Sequence, residues 1–335
     1  MEERTKRNWE EQSAPAVSEP PAPDRKIVAL CGPTAVGKTQ VAIEIAERLD
    51  GEIVNCDSMQ LYRFMDIGSA KPTPEERARV KHYLVDEIDP REPFSVAKFQ
   101  HLAKDAIETV FKKGKLPIVS GGTGLYLNAL LYDMDFSAPP GDTGRRDELF
   151  AFARENGNDA LHRKLQELDP AAAARIHPNN VKKVVRAIEA AESGRPVRDF
   201  RTDLRKTSDY GVILVGLRRD RNELYRRIDR RVDLLMEQGL VEEVKRLLAM
   251  GLTEDSISMK GIGYKEIIGF LEGEYDLAEA VRLVKRNTRH LAKRQMTWLR
   301  RYREMTWFTL SENDSEEEII EAIKRWLSEK LDRKP

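Results

Sequence analysis

The stretch "KIVALCGPTAVGKT", residues 26–39, joins an apolar run to a glycine-rich loop. Residues 32–39, the phosphate loop, fit the pattern G-x-x-x-x-G-K-[ST] between a predicted strand and a predicted helix, which is the context that the pattern requires. Glycines let backbone N–H groups face anionic oxygens, Lys38 adds charge, and the Thr39 hydroxyl is a ligand for Mg²⁺. We predict a polyphosphate site with a nucleoside triphosphate as the default occupant; a structural glycine turn is the alternative. The loop comprises Gly32, Pro33, Thr34, Ala35, Val36, Gly37, Lys38 and Thr39.

Short apolar runs rich in Ile, Val and Leu recur along the chain and predict strands that are buried on both faces. Helical stretches separate most of them, notably residues 38–48 and 95–112. Strands that alternate with helices predict an α/β fold with a P-loop-type, doubly wound parallel sheet. Ligands of such sheets bind at the carboxyl ends of the strands, so we expect the chemistry directly after each run. The predicted strands are residues 26–31, 52–57, 82–88, 116–121 and 211–217.

The alternation stops between about residues 132 and 208, where the chain is charged and helical. We predict an inserted helical subdomain at 132–208 and a catalytic core formed by 25–131 plus 209–335, helical nearly to its end after residue 217. Residues 1–24 carry charges of both signs and then prolines, without the apolar stretch of a secretory signal. We interpret them as a disordered leader.

Composition predicts a soluble globular protein, with 34% charged and 40% hydrophobic residues among 335. No run of about 18 apolar residues occurs, so a membrane-spanning helix is excluded. The only cysteines, Cys31 and Cys56, lie in or beside apolar runs, which argues against disulfides and a cysteine-built zinc site. Lysine plus arginine equals aspartate plus glutamate, 57 each, so overall charge predicts no anionic partner. We expect a cytoplasmic monomer without a membrane partner.

A second glycine-rich turn, "GGTGLY" at residues 121–126, follows the run "LPIVSG" and precedes a predicted helix. We call it the second glycine loop. One interpretation is a tight turn in which Thr123 caps that helix. Its position beside the phosphate loop favours the other, in which Thr123 donates a hydrogen bond to the same phosphate cluster.

Asp57 closes the run "EIVNCD", so the sheet topology predicts its carboxylate near the phosphates. The alternative is a capping box, in which Asp57 caps a helix and Gln60 reaches back to it. A hydrolase or kinase usually offers a further aspartate for Mg²⁺ at the end of another strand. Neither "LPIVSG" nor "GVILVGL" ends in one.

Residues 281–303 contain nine basic residues and no acidic one. Charged helix faces are usually only solvated, but a face of one sign repels itself unless an anion lies against it. A phosphate backbone is such an anion. Further basic contributors are "KKVVR" at 182–186 and "KGIGYK" at 260–265, whereas the five histidines show neither metal-ligand spacing nor a partnered nucleophile.

Six motifs in order, "GPTAVGKT", "DSMQLYRFMDIGSAKP", "GGTGLYLNALL", "RAIE", "GIGYKE" and "KRQMTWLR", resemble the tRNA dimethylallyltransferases from about Lys26 to beyond Arg300. The resemblance implies a P-loop-type core that binds dimethylallyl diphosphate instead of hydrolysing ATP. It also implies an insertion that grips the anticodon arm of tRNA. The substrate would be the adenosine on the 3′ side of the anticodon.

The resemblance also implies a role for each matching residue. Residues 32–39 would hold diphosphate and Mg²⁺, with Thr39 as a metal ligand. Asp57 would be the general base toward the adenine amine, Thr123 would bond near the scissile oxygen, and Arg227 would pair with the diphosphate. Where many members of the family have Q-R-x-x-R, this chain has Lys182, Lys183 and Arg186, which retain phosphate contact but lack a planar bidentate group at the first two positions.

The positions that match tRNA-contacting segments of the family form one predicted set. They are Asp57, Ser58, Met59, Gln60, Thr123, Arg146, Lys182, Lys183, Arg186, Lys260, Gly261, Ile262, Gly263, Tyr264, Lys265, Lys293, Arg294, Gln295, Met296, Thr297, Trp298, Leu299 and Arg300.

Three other functions use the same phosphate loop. A nucleotide or small-molecule kinase would turn over ATP without binding tRNA. An isopentenyltransferase for free adenine nucleotides would have less use for the insertion and the basic helix. In an RNA-binding NTPase switch, nucleotide would change the affinity for RNA without a covalent product.

Overall fold

The computed structural model describes residues 25–134, 143–194 and 205–332; the predicted leader lies outside them. Six parallel strands form one sheet in the order β3-β2-β4-β1-β5-β6. The predicted doubly wound α/β fold is therefore confirmed. The strands are β1 (Lys26–Cys31), β2 (Gly51–Asn55), β3 (His82–Tyr83), β4 (Leu116–Gly121), β5 (Gly211–Arg218) and β6 (Thr306–Thr309).

Helices connect the strands and continue beyond them. Those of the core are α1 (Lys38–Arg48), α2 (Pro74–Arg79), α3 (Val96–Lys112), α4 (Gly124–Leu131), α9 (Arg221–Glu237), α10 (Leu240–Ala249), α11 (Tyr264–Leu271), α12 (Leu277–Leu299) and α13 (Glu316–Asp332), with a 3₁₀ turn at Ser258–Lys260. Those between the halves of the core are α5 (Thr143–Asn156), α6 (Asn158–Leu168), α7 (Pro170–Arg175) and α8 (Val181–Glu192).

Alternate residues of β1 enter two hydrophobic clusters, one on each face of the sheet. Ile27 and Ala29 pack with α3, α4, α10 and α11, whereas Val28 and Leu30 pack with α1, α9 and α13. Both faces of the central strand are therefore covered, which is why its sequence is continuously apolar. None of the described helices combines the length and the hydropathy needed to cross a membrane.

Two strand predictions are wrong in detail. The predicted strand 82–88 stops at Tyr83, because Leu84 and Asp86 adopt left-handed φ values of 62° and 61° that an extended strand cannot contain. The C-terminal part is not helical throughout, since Thr306–Thr309 pairs with β5 as the edge strand β6.

Helices α5 to α8 surround a hydrophobic cluster of their own, which includes Leu149, Leu161 and Ile188. The chain segments that enter and leave this insertion are hydrogen-bonded to each other, since the Thr207 N–H donates to the Leu131 carbonyl at 2.9 Å. The described part of the insertion thus has a separate small core. Its role in tRNA binding stays a prediction.

Candidate active site

Three loops meet at the carboxyl edge of the sheet, because β2, β4 and β1 are neighbours. Cys31 at the end of β1 and Asn55 at the end of β2 pair with Gly121 and Ser120 of β4. The phosphate loop and the second glycine loop therefore leave from adjacent strand ends, and Asp57 follows just beyond β2. The structure brings together the three elements that the sequence placed at this edge.

The phosphate loop is a tight turn that ends in a helix. Ala35 and Gly37 both have left-handed φ values, 63° and 110°, and α1 begins directly after them at Lys38. The Lys38 Nζ donates to the Pro33 carbonyl at 2.9 Å, so the ammonium folds back over the loop. The positive end of the α1 dipole and this ammonium favour an anion at the same place.

Two arginines contact the phosphate loop, one just after β5 and one from α9. The Arg219 Nε donates to the Val36 carbonyl at 2.9 Å, and the Arg227 Nε donates to the Ala35 carbonyl at 3.0 Å. Burial lowers the pKa of the Arg227 guanidinium, and the neighbouring Arg219 lowers it further. Arg227 thus supports the loop's backbone with Nε. Its pairing with diphosphate stays a prediction.

Asp57 lies in a turn and caps no helix. Its Oδ1 accepts the Met59 N–H at 2.9 Å, and its own N–H donates to the Asn55 Oδ1 at 3.2 Å. The Gln60 Nε2 donates to the Ala70 carbonyl at 3.1 Å and does not reach back to residue 57. The capping-box interpretation is therefore wrong, because residues 57–60 form turns. Oδ1 is thus held in place, and among the described residues no hydrogen bond is recorded for Oδ2.

Lys38, Asp57 and Arg231 line one cleft, and Arg231 was not anticipated from the sequence. Burial lowers the pKa of Lys38 to about 8; the Asp57 carboxylate opposes this shift and the Arg231 guanidinium adds to it. Burial also lowers the pKa of Arg231, and the Asp57 carboxylate again opposes the shift. Lys38 and Arg231 repel each other beside a single carboxylate. A bound anion would therefore stabilise the charged forms of both side chains. Other lining residues include Thr39, Asn55, Gln60, His82 and Ser120.

Thr123 connects the second glycine loop to the Asp57 turn. It precedes α4, but its side chain makes no capping hydrogen bond; its Oγ1 instead accepts the Ser58 N–H at 3.2 Å. The helix-cap interpretation is therefore wrong. A Cβ atom on Gly121 would lie 2.1 Å from the Cys56 carbonyl oxygen, so the close approach of the two loops requires glycine there.

Helix α12 packs against both glycine-rich loops. Gln295 bonds to Thr34 and to Gly122, and the Trp298 ring lies where a Cβ atom on Gly124 would be, 2.4 Å from Cδ1. Two residues of the predicted tRNA set therefore face inward, toward the two glycine-rich loops. The inward orientation of Gln295 and Trp298 results from tertiary packing, which the local sequence does not predict.

The basic stretch of α12 is partly neutralised within the chain. Its ion pairs are Lys285 with Asp233 at 2.6 Å, Arg289 with Asp229, and Arg282 with Glu279 at 2.5 Å. For these three residues the anion expected against the basic face is a carboxylate of the chain itself. Lys293, Arg294 and Arg300 are exposed, and no ion pair is recorded for them within residues 25–134, 143–194 and 205–332. Leu299 is buried, so its side chain cannot face RNA.

The basic residues of the insertion likewise divide into exposed residues and one that is paired within the chain. Lys182, Lys183 and Arg186 are exposed on α8. Arg146 instead forms a two-pronged ion pair with Glu189, through Nε at 3.0 Å and Nη2 at 2.8 Å. An RNA phosphate would have to compete with Glu189 for this arginine.

The segment 260–265 is exposed at its two lysines, partly exposed at Gly261 and Ile262, and buried at Gly263 and Tyr264. Gly263 and Tyr264 are buried, and the Tyr264 hydroxyl donates to Glu243. For these two residues the prediction of tRNA-facing groups is wrong, because no side-chain surface is available. A Cβ atom on Gly261 would lie 2.5 Å from the Met59 Cε, so two predicted tRNA segments touch each other. Predicted residues of intermediate exposure are Asp57, Ser58, Met59, Gln60, Thr123, Gly261, Ile262, Gln295, Met296 and Trp298; Lys260, Lys265 and Thr297 are exposed.

The donor set suits Mg²⁺ bound together with a phosphate group. Thr39 and Asp57 line the same cleft, offering a hydroxyl and a carboxylate. No cluster of three or more His, Cys, Asp or Glu side chains occurs among the residues that the structure describes. Mg²⁺ is commonly held by one or two protein oxygens plus substrate phosphates, which this arrangement fits.

The fold and the site define the class: a P-loop-type α/β protein whose cleft suits a diphosphate group beside a carboxylate. Comparison with known proteins is more specific. The family model described as IPP transferase matches residues 60–302. A "tRNA dimethylallyltransferase" of Alkaliphilus oremlandii is 54% identical over 300 residues, covering 89% of this chain and 96% of that protein. The chain belongs to the IPP transferase family.

Solved structures agree. The full-length tRNA isopentenylpyrophosphate transferase of Bacillus halodurans is 44% identical, with a TM-score of 0.69 over 92% of this chain and 97% of that one. A eukaryotic dimethylallyltransferase, described as acting on tRNA, is 25% identical, with a TM-score of 0.78 over 91% of this chain and 80% of that one. The fold and the family are therefore shared over nearly the whole described chain.

Proposed function

We propose that this chain transfers a dimethylallyl group from dimethylallyl diphosphate to the N6 amine of adenosine 37 in tRNA. This adenosine lies 3′ to the anticodon, in tRNAs that read codons beginning with U, and the products are N6-isopentenyladenosine and diphosphate. Family membership and the names of the relatives support the activity. The observation that carries it is that Asp57, Lys38 and Arg231 line one cleft beside two glycine-rich loops.

The charge of the leaving group accounts for the positively charged side chains in the cleft. The bond between the allylic carbon and the diphosphate oxygen breaks, and its electron pair departs with diphosphate. Lys38, Arg231 and the backbone N–H groups at the start of α1 stabilise that charge, and one such donor is worth about 3–4 kcal/mol in transition-state energy. Arg227 supports the loop that carries these groups and is proposed to pair with diphosphate as well.

The proton that the nucleophile must lose accounts for the Asp57 carboxylate. As the bond between N6 and the allylic carbon forms, N6 loses a proton, and the free oxygen of Asp57 accepts it. A positioned base contributes about 10²–10⁴-fold to such a step. Asn55 and the Met59 N–H fix the orientation of the turn. Thr123, whose Oγ1 accepts the Ser58 N–H, is proposed to donate its hydroxyl hydrogen near the scissile oxygen.

Magnesium would be held by Thr39 together with the substrate's diphosphate oxygens. When bound, it neutralises part of the diphosphate charge. The chain's own residues orient the diphosphate, and the proton passes to Asp57 directly.

The tRNA contacts use the exposed basic residues on α8, on α12 and at the ends of the segment 260–265. The adenine must leave its stack to reach the cleft, which costs a few kcal/mol that phosphate contacts can offset. We propose the subdomain 132–208 as part of this surface, and a monomer in the cytoplasm as the working form. Cys31 and Cys56 are free and buried, which suits a reducing compartment.

The test is incubation of the purified chain with labelled dimethylallyl diphosphate, Mg²⁺ and undermodified tRNA. We expect label in N6-isopentenyladenosine at position 37 after nuclease digestion and mass spectrometry. Parallel reactions contain AMP in place of tRNA, or ATP in place of the prenyl donor. Label in free AMP only, or ATP turnover without a prenylated product, would contradict the proposal and favour the corresponding alternative.

A further inference from the structure

Gln295 forms a bridge between the two glycine-rich loops. Its Oε1 accepts the Thr34 N–H of the phosphate loop at 2.8 Å, and its Nε2 donates to the Gly122 carbonyl of the second glycine loop at 3.1 Å. Among the described residues, no hydrogen bond is recorded directly between Thr34 and residues 122–124. Beyond the paired strand ends of β1 and β4, one side-chain amide of α12 therefore links the two loops.

The packing around this bridge leaves little freedom. A Cβ atom on Gly122 would lie 2.4 Å from the Gln295 Nε2 and 3.2 Å from the Gly32 carbonyl oxygen. Trp298 fills the corresponding space over Gly124 from the same side of α12. The glycines of the second loop are thus needed for the approach of α12.

Exposed cations adjoin the bridge along α12. Lys293 and Arg294 are exposed, whereas Gln295 is partly buried. The three residues lie within one turn of the same helix. A shift of this turn on binding an RNA phosphate would therefore move the Gln295 amide and both of its hydrogen bonds.

We propose that Gln295 is a positioning residue that couples tRNA docking on α12 to diphosphate affinity. The inference rests on the proposed function, since it needs both ligands. It differs from a direct contact between Gln295 and tRNA, because the oxygen and the nitrogen of the side-chain amide already bond to the two glycine-rich loops. Coupling is reciprocal, so RNA and diphosphate must raise each other's affinity by the same factor.

The experiment measures the dissociation constant of inorganic pyrophosphate, with Mg²⁺, in the absence and presence of saturating unmodified anticodon stem–loop RNA. The ratio of the two constants is the coupling factor. We expect a factor of about five or more for the wild type, within the usual range for coupled sites. For Gln295→Met, which keeps the length of the side chain but neither hydrogen bond, we expect a factor near one while each ligand alone still binds.

Gly122→Ala provides a second variant, because its Cβ atom displaces the amide while Gln295 itself is unchanged. It should lose the coupling as well. His290→Ala, an exposed site on the same helix, should keep the wild-type factor. A wild-type factor near one, or a wild-type factor retained by Gln295→Met, would overturn the inference.

Prenyl transfer is measured in the same preparations. Transfer by the wild type with unchanged coupling in both variants rejects the role of Gln295 and leaves the proposed function standing. Absence of transfer by the wild type removes the basis of both proposals.

Discussion

The Tyr264 hydroxyl donates a hydrogen bond of 2.8 Å to the Glu243 Oε1, and both side chains are buried. The same carboxylate accepts the backbone N–H groups of Asp66, Ile67 and Gly68 at 2.8–3.0 Å. A Cβ atom on Gly68 would lie 2.5 Å from the Tyr264 ring. Glu243 therefore holds the loop that leads away from Asp57 against α10 and α11.

Replacing Glu243 by Gln should lower the free energy of unfolding by about 2–3 kcal/mol, because an amide NH₂ would face backbone donors that now bond to a charged acceptor. Urea unfolding with an unchanged m-value measures this loss. Glu242→Gln is the matched control, since Glu242 is the exposed neighbour and pairs with Lys245. Equal stability of the two variants would show that the buried carboxylate does not anchor the loop.

Some parts of the fold and of the site could be predicted from the sequence, because they depend on local sequence patterns. The run "KIVALC" predicts β1 to the residue, because a strand buried on both faces must be apolar throughout. The phosphate loop, Asp57 and the second glycine loop could be placed together because parallel strands end at one edge. Such predictions need only the chain's own pattern and the topology that it implies.

The rest depends on contacts between distant segments. The four-residue strand β6 is too short to distinguish from its helical surroundings. Arg231 lies one helical turn beyond Arg227, so its spacing was visible, but its partner Asp57 is remote in sequence. Gln295 belongs to a motif with an expected role in RNA contact, and only packing shows that its amide faces the phosphate loop.

Replacing Asp57 by Asn should reduce the turnover number for prenyl transfer by about 10²–10⁴-fold, because the amide cannot accept the N6 proton. The amide oxygen can still accept the Met59 N–H, so the turn should persist. Binding of pyrophosphate and of tRNA should stay within a small factor of the wild type. Asp50→Asn is the control, as Asp50 is exposed with a left-handed φ of 47° that Asn tolerates. Near-normal turnover by Asp57→Asn would exclude the general-base role.

The activity should depend on pH through Lys38. Its lowered pKa of about 8 in the free protein means that the ammonium is present below this pH and is lost above it. The kcat/KM for dimethylallyl diphosphate should therefore fall above about pH 8, since this parameter reports the free enzyme. The falling limb of kcat should lie at higher pH, because bound diphosphate stabilises the ammonium. A kcat/KM that stays level to about pH 9.5 contradicts this account.

Replacing Arg231 by Gln should weaken transition-state stabilisation by about 10²–10³-fold in kcat, if its guanidinium contacts the leaving diphosphate. It should also move the kcat/KM limb to higher pH, because Arg231 is one of the groups that lower the pKa of Lys38. Arg230→Gln is the matched control, an exposed neighbour paired with Glu312. A near-normal kcat in Arg231→Gln would reject the contact with diphosphate, and an unmoved limb would reject the effect of Arg231 on Lys38.

Neutralising Lys293 and Arg294 together should reduce the salt dependence of tRNA binding. Each phosphate contact contributes about 0.7–0.9 to the slope of log K against log salt, so the double change to Gln should reduce the slope by about 1–2. Arg282→Gln should change it little, because Arg282 already pairs with Glu279 on the same helix. Filter binding of an undermodified tRNA across a series of KCl concentrations gives both slopes. An unchanged slope in the double variant would mean that this end of α12 is only a solvated surface.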